Sequence, residues 1–290
     1  MANNSYALNR VTGALSFRIS RFTDGTNFKT LKRYNHFTVI LFVKGSGELV
    51  VDASRYTFDN GSLMSFSLYQ PFQIFCKGTC EGFSIEFHPD FFCLHKHRNE
   101  VSCNGVLFNN LYESPLIRLT AANIRGLTSV FNGALSEMRR PAIDAEVLLS
   151  YLKILLINAS RIKVEQRNRG GALHMNVPET LLALQAAIDA NYKSIHQAAA
   201  YANLLSVTQN ALNRNCRLYF KKTLTHLITE RVVLEAKREL YLTAKPVKAI
   251  AYDLGFNDEF HFSKYFKSNV GVSPQVFRDT VGVGKAVTNE

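Results

Sequence analysis

Apolar and polar residues alternate along the chain from residue 14 to residue 87. Leu15, Phe17 and Ile19 form one such run, and Phe37, Val39, Leu41 and Val43 the next. Leu49 and Val51 follow, then Leu63, then Phe72, Ile74 and Cys76, and then Phe83, Ile85 and Phe87. Turn-forming residues separate the runs: Gly45-Ser46-Gly47, Asp59-Asn60-Gly61, Gly78 and Gly82. A period of two puts successive side chains on opposite faces of a strand. Many short strands at regular spacing therefore predict an antiparallel sandwich or barrel. A small barrel encloses space that often serves as a ligand pocket.

The period then changes. Leu127, Val130, Phe131 and Leu135 follow helical spacing, as do Leu148, Tyr151, Leu152, Leu155 and Leu156, with a break at Arg139-Arg140-Pro141. This predicts two helices forming a hairpin. The second carries more apolar residues than one sheet face needs. Either the pair packs back on the sheet or it serves self-association. Glu165 to His174 is polar, holds Arg167, Arg169, Gly170 and Gly171, and reads as a linker. Beyond it the chain reads helical almost to its end. Asn176 suits a cap, Pro178 and Glu179 suit a first turn, and Ser273-Pro274 opens the last helix. The tail from Val281 is expected to fray. The expected fold is α+β in two domains. A β domain covers 1–118, the hairpin 119–164, the linker 165–175 and an all-α domain 176–282.

Composition narrows the possibilities. The 290 residues are 47% hydrophobic, enough to build real cores. Lys and Arg number 34 against 23 Asp and Glu, a net charge of +11. A chain this basic usually meets something anionic, nucleic acid foremost. The excess is spread: net +3 over residues 1–150, +4 over 151–173 and +4 over 174–290. Charge alone therefore does not make the helical end a DNA-binding domain. No apolar run reaches the ~18 residues of a membrane span. The polar N-terminus lacks the apolar core of a signal peptide. A cytoplasmic protein with no membrane partner is expected. The cysteines (Cys76, Cys80, Cys93, Cys103 and Cys216) are odd in number, and reduced thiols are expected.

A helix-turn-helix needs a small residue where its helices touch, a turn residue four later, and an apolar residue pinning the second helix. Ala202, Ser206 and Leu212 fit, flanked by apolar Leu205 and Val207. Ala251, Gly255 and Phe262 fit again, after the apolar stripe Val247, Ile250, Ala251 and Leu254. Gly255 suits a left-handed turn conformation. One such pattern arises by chance in any helical hairpin; two, about 50 residues apart, are specific. A connecting helix from Thr225 to Leu242 spans about 27 Å. Successive major-groove faces lie about 34 Å apart on one side of DNA.

The segments ERVVLEAKREL (Glu230 to Leu240) and KPVKAIAYDLGFNDEFHFSKYFKSNVGVSPQVFR (Lys245 to Arg278) resemble the AraC/XylS family of bacterial transcription regulators. The family pattern falls on Ile250, Ala251, Gly255, Phe256, Phe262, Phe266, Lys267, Gly271, Ser273 and Pro274. SVTQNALNRNC (Ser206 to Cys216) matches more loosely. The resemblance covers about 100 C-terminal residues, with units near 194–217 and 246–268. Two features depart from it: Lys221 stands where the family usually has glycine after the first recognition helix, and Ser206 where glycine is common at the turn. The N-terminal part resembles the cupin-like sensor domain often joined to this unit, in GSGELVV and in Phe87 to Phe92.

The resemblance implies a sequence-specific regulator of double-stranded promoter DNA, ligand-responsive and an activator. RNA polymerase, a small-molecule effector and a second copy of the chain are the expected partners, with no cofactor. By alignment Asn210, Asn213 and Arg214 read bases in the first unit. Arginine suits guanine O6 and N7, and asparagine adenine N6 and N7. Thr208, Gln209 and Arg217 are expected on phosphates, which set register. Glu259, Phe260 and Lys264 are the corresponding base-facing positions of the second unit. Glu259 either accepts from cytosine N4 or repels phosphate; Phe260 either meets a thymine methyl or packs. Lys264 and Lys267 suit phosphate. The first unit is expected to specify and the second to anchor. Ala202, Leu212, Ile250, Ala251, Gly255, Phe256, Phe262 and Phe266 read as core, and Arg231 with Glu235 as a surface helix pair.

A rival lies in the β domain. His88, Cys93, His95, His97, Glu100 and Cys103 crowd into sixteen residues of metal-ligating types. The segment lacks a strand pattern, and His97 to Glu100 is shorter than cupin spacing, so ordinary loop or core roles are expected and no metal is assigned. A cupin-type metal-binding or enzymatic protein with an accessory DNA-binding domain is the alternative. No nucleophile elbow, P-loop or dinucleotide fingerprint occurs, and no catalytic residue is expected.

Overall fold

The computed structural model describes residues 4–8, 15–52, 54–94, 97, 105–170 and 177–281. The chain forms two compact units. One comprises Met1–Asn110 and Ser114–Gly171, and the other Leu111–Glu113 and Ala172–Glu290.

The first unit is built on strands β1 (Asn4–Leu8), β2 (Leu15–Phe22), β3 (Phe37–Val51), β4 (Ser54–Phe58), β5 (Ser62–Phe66), β6 (Phe72–Phe87) and β7 (Leu116–Arg118). They form one sheet in the order β1-β2-β6-β3-β5-β7, with β4 on β3. Every pairing is antiparallel. The alternating segments expected near 37–43 and 49–51 are one long strand, β3, and those near 72–76 and 83–87 are one strand, β6. What joins the halves is a bulge. Lys44 pairs with Glu81, but Ser46 already pairs with Lys77. Gly45 and Gly78 have φ of +110° and +76° there, a region that glycine enters cheaply.

Both faces of the sheet are covered. Ile40, Phe42, Met64, Phe66, Phe72 and Ile74 belong to one apolar cluster with Leu49, Val51 and Phe58. Phe66 and Phe72 stack with centroids 3.9 Å apart. Val39, Leu41 and Ile85 point to the opposite face and are equally buried. Here Phe83 stacks at 5.2 Å on Phe131 of helix α1 (Ala121–Glu137). On the first face Arg18 lies opposite Glu86 in register and pairs with it. The Glu86 carboxyl is pushed up by burial, against the pull of Arg18.

Helix α2 (Ala145–Gly170) packs on α1, burying Leu148, Leu152, Leu155 and Leu156. It runs through Glu165 to Gly170, the first part of the stretch that reads as a linker. Glu165, Arg167 and Asn168 are exposed along it, and Gln166 donates to the Arg118 carbonyl. A polar segment of good helix formers continues a helix whose other turns are already anchored. Residues 171–174 and the expected cap Asn176 lie outside the described residues. Among the described residues no helix is long and apolar enough to cross a membrane.

The second unit is helical: α3 (Glu179–Asn191), α4 (Ala198–Leu204), α5 (Gln209–Phe220), α6 (Leu224–Leu242), α7 (Val247–Asp253), α8 (Glu259–Val270) and α9 (Pro274–Val281). Pro178 takes the cap position of α3 without a side-chain bond. Ser273 opens α9 as expected, its Oγ accepting from the Val276 amide at 3.2 Å.

Candidate nucleic-acid interface

The interface is built twice from the same parts. In the first unit α4 ends at Leu204, and Ser206 takes φ +54°. The Val207 amide then donates to the Ala202 carbonyl at 3.0 Å. In the second, Gly255 takes φ +79°, and the Phe256 amide donates to the Ala251 carbonyl at the same 3.0 Å. Ala202 and Ala251 are buried where a larger side chain would hold the helices apart. Gly255 has a further constraint: a Cβ there would stand 2.0 Å from the Lys193 carbonyl oxygen.

Each recognition helix opens on a side-chain cap. Thr208 accepts from the Ala211 amide at 3.3 Å, and Asp258 from the His261 amide at 2.7 Å. Leu212, Cys216 and Phe220 pin α5, and Phe262, Phe266 and Val270 pin α8. Burial pushes the Cys216 thiol up to about 11. Both helices close on a left-handed residue, Lys221 at φ +59° and Gly271 at φ +93°. The lysine therefore does not alter the helix exit. It adopts the glycine conformation.

With caps and exits aligned, the two outward faces correspond. Gln209, Asn210, Arg214 and Arg217 are exposed on α5. Phe260, Lys264 and Lys267 are exposed at the matching places of α8, and Glu259 is half-buried. Phe260 is 88% exposed, so it does not pack. Asn213 differs from its neighbours. It is half-buried, and its Oδ1 accepts from the Leu224 amide at 3.0 Å, tying α5 to the start of α6. Sequence spacing put Asn213 on the outward face but carried no sign of that bond. Thr208 likewise spends its hydroxyl on the cap.

Helix α6 is tied to the first helix-turn-helix through partly buried charges. Lys222 Nζ meets Glu230 at 2.7 Å and the Leu111 carbonyl at 2.8 Å, and His226 meets Glu230 at 3.0 Å. Burial alone would push the Glu230 carboxyl up, but His226 and Lys222 reverse this and hold it below the usual range. Arg231 stacks 3.7 Å over the Tyr192 ring and pairs with Asp189 at 2.8 Å and Glu235 at 3.1 Å. The Arg231–Glu235 pair is thus a part-buried brace to α3, not the freely exposed pair that helical spacing suggested. Spacing reports the (i, i+4) relation, not what packs over it.

Of the metal-type residues in the β unit, His97 stacks on Phe92 at 4.6 Å. His88 Nδ1 accepts from the Asp90 amide at 3.2 Å and its ring lies 5.3 Å from that of His36. Cys93 is buried. His95, Glu100 and Cys103 lie outside the described residues.

Two repeated helix-turn-helix units on one connecting helix define a DNA-binding domain of the tandem type. Residues 201–280 match the helix-turn-helix domain family. The chain thus carries a helix-turn-helix domain at its C-terminal end. No curated protein matches it. Among solved structures it is similar to ToxT from Vibrio cholerae, at 15% identity over 97% of this chain and 98% of that one, TM-score 0.40. It is also similar to the C-terminal domain of AraT, a response regulator from Geobacillus stearothermophilus. There the identity is 22% over 40% of this chain and 96% of that one, TM-score 0.37.

Proposed function

We propose that the chain regulates transcription by inserting α5 and α8 into successive major grooves of promoter DNA. The observation that carries this reading is the equivalence of the two units: same turn bond, same cap, same left-handed exit, same exposed positions. Connecting helix α6, 19 residues long, spans about 28 Å. That reach suits neighbouring grooves on one side of a duplex.

Arg214 and Asn210 carry base reading in the first unit. Both are exposed on α5 and have the donors and acceptors for guanine and adenine edges. Asn213 reaches a base only with its Nδ2, since its oxygen is engaged. Phe260, unpacked and exposed, meets a thymine methyl, and Lys264 a base or a phosphate. Glu259 is the poorest of the set, a carboxylate beside phosphates. Gln209, Arg217 and Lys267 take phosphates, and Thr208 positions the helix start. The first unit specifies and the second anchors. The β unit senses a small-molecule effector, α2 supports self-association, and DNA-bound protein recruits RNA polymerase as an activator in the cytoplasm. The chain acts by binding, not by catalysis.

Footprinting upstream of the chain's own gene at two salt concentrations tests this. Protection over two adjacent turns of one DNA face is expected. Asn210→Ala with Arg214→Ala is the control, because Asn213 also stabilises the fold. Arg214→Ala alone should cost about 1–3 kcal/mol and relax one base position. Equal loss on every sequence would remove Arg214 from base reading, and no protection with intact protein would sink the reading.

A further inference from the structure

We propose that Cys76 and Cys80 form a two-thiolate site for a soft monovalent cation of the Cu(I) type. The two cysteines stand on β6 on either side of Gly78. In a regular strand residues four apart would lie about 13 Å apart. The bulge at Gly78 brings them together. A methyl group at Gly25 would lie 2.1 Å from Cys76 Sγ and 3.5 Å from Cys80 Cβ, so the two side chains flank the same glycine. A methyl at Gly45 would lie 2.5 Å from Cys80 Sγ. Glycine backbone thus covers the sulfurs from two sides. Both cysteines are free thiols, Cys80 buried and Cys76 half-exposed, so the pair is reachable from one direction. Cys80 Sγ lies 3.8 Å from the Ser46 carbonyl oxygen, a weak acceptor contact.

Two sulfurs with no third ligand grouped on them among the described residues suit a cation that accepts two-coordinate thiolate binding. Soft thiolates select Cu(I) over hard divalent ions. Binding breaks two S–H bonds, forms two Cu–S bonds and releases two protons to solvent. Copper stays monovalent and no electron is transferred. The site lies in the β unit and is independent of the DNA contacts.

The test titrates reduced full-length protein anaerobically with Cu(I) held by a chromogenic chelator. One Cu(I) per chain should be captured, and Cys76→Ser and Cys80→Ser should each weaken capture at least tenfold. Cys93→Ser and Cys216→Ser should not. Gly25→Ala keeps every thiol but crowds both side chains, and should weaken capture with circular dichroism unchanged. A readout without variants is alkylation followed by mass spectrometry, in which Cu(I) should protect Cys76 and Cys80 together. Capture that is absent, that survives both serine variants, or that leaves Cys76 and Cys80 unprotected overturns the proposal.

Discussion

Lys221 and Ser206 hold backbone conformations that favour glycine, at φ +59° and +54°. A side chain in the left-handed region costs roughly 1–2 kcal/mol, and glycine gives back part of that through its freer unfolded chain. Lys221→Gly should therefore raise stability by about 0.5–1 kcal/mol. A urea midpoint that rises at constant slope would bear this out; one that stays or falls would mean the lysine side chain makes up its backbone cost. Gly255 is the opposite case. A methyl there meets the Lys193 carbonyl at 2.0 Å as well as a positive φ, so no larger residue fits. Residue identity thus predicts the turn at Gly255, whereas at Ser206 and Lys221 it only marks a departure. The rest of the first unit forces the same geometry on them.

At the scale of elements, α6 is more than a spacer. Its half-buried Glu230 meets the charges of Lys222 and His226, and its Arg231 bridges to α3. The folded-state carboxyl of Glu230 lies below its ordinary value. Its contribution is therefore complete above the unfolded value of about 4.3 and is lost as pH falls through the folded one. Glu230→Gln should destabilise at neutral pH, since it leaves Lys222 buried beside an uncharged partner. It should also flatten the acid limb of stability. Thermal unfolding of both proteins between about pH 3 and pH 6 checks the sign. A variant with an unchanged acid limb would place the acid sensitivity elsewhere. The polar end of α2 makes a related point. Glu165 to Gly170 looks like a linker because composition is local, while the helix is sustained by turns anchored far upstream.

For the whole molecule the number of phosphates its basic residues contact sets how the proposed DNA binding responds to salt. Each phosphate contact releases counterions, so log K falls linearly with log salt. Arg217→Ala and Lys267→Ala should each reduce that slope by about 1 and weaken binding about equally on all sequences. Fluorescence anisotropy over a salt series measures this. A slope unchanged in either variant would take that residue off the phosphates.

The period-two and helical patterns, the small residues Ala202 and Ala251 and the turn glycine Gly255 all act through neighbours within a few positions. The antiparallel strands, the helical end and both helix-turn-helix units were therefore legible in the sequence alone. Long-range packing decided the rest. Whether β3 and β6 are one strand or two depends on a bulge shared between strands thirty residues apart. Whether the Asn213 oxygen stays free or is held by the start of α6 depends on the Leu224 amide. Whether Arg231 sits at the surface depends on Tyr192, and whether two cysteines flank the same glycine depends on where Gly25 lies. Sequence spacing fixes which face of an element a residue occupies, but only the fold brings the partner that decides what the residue does there.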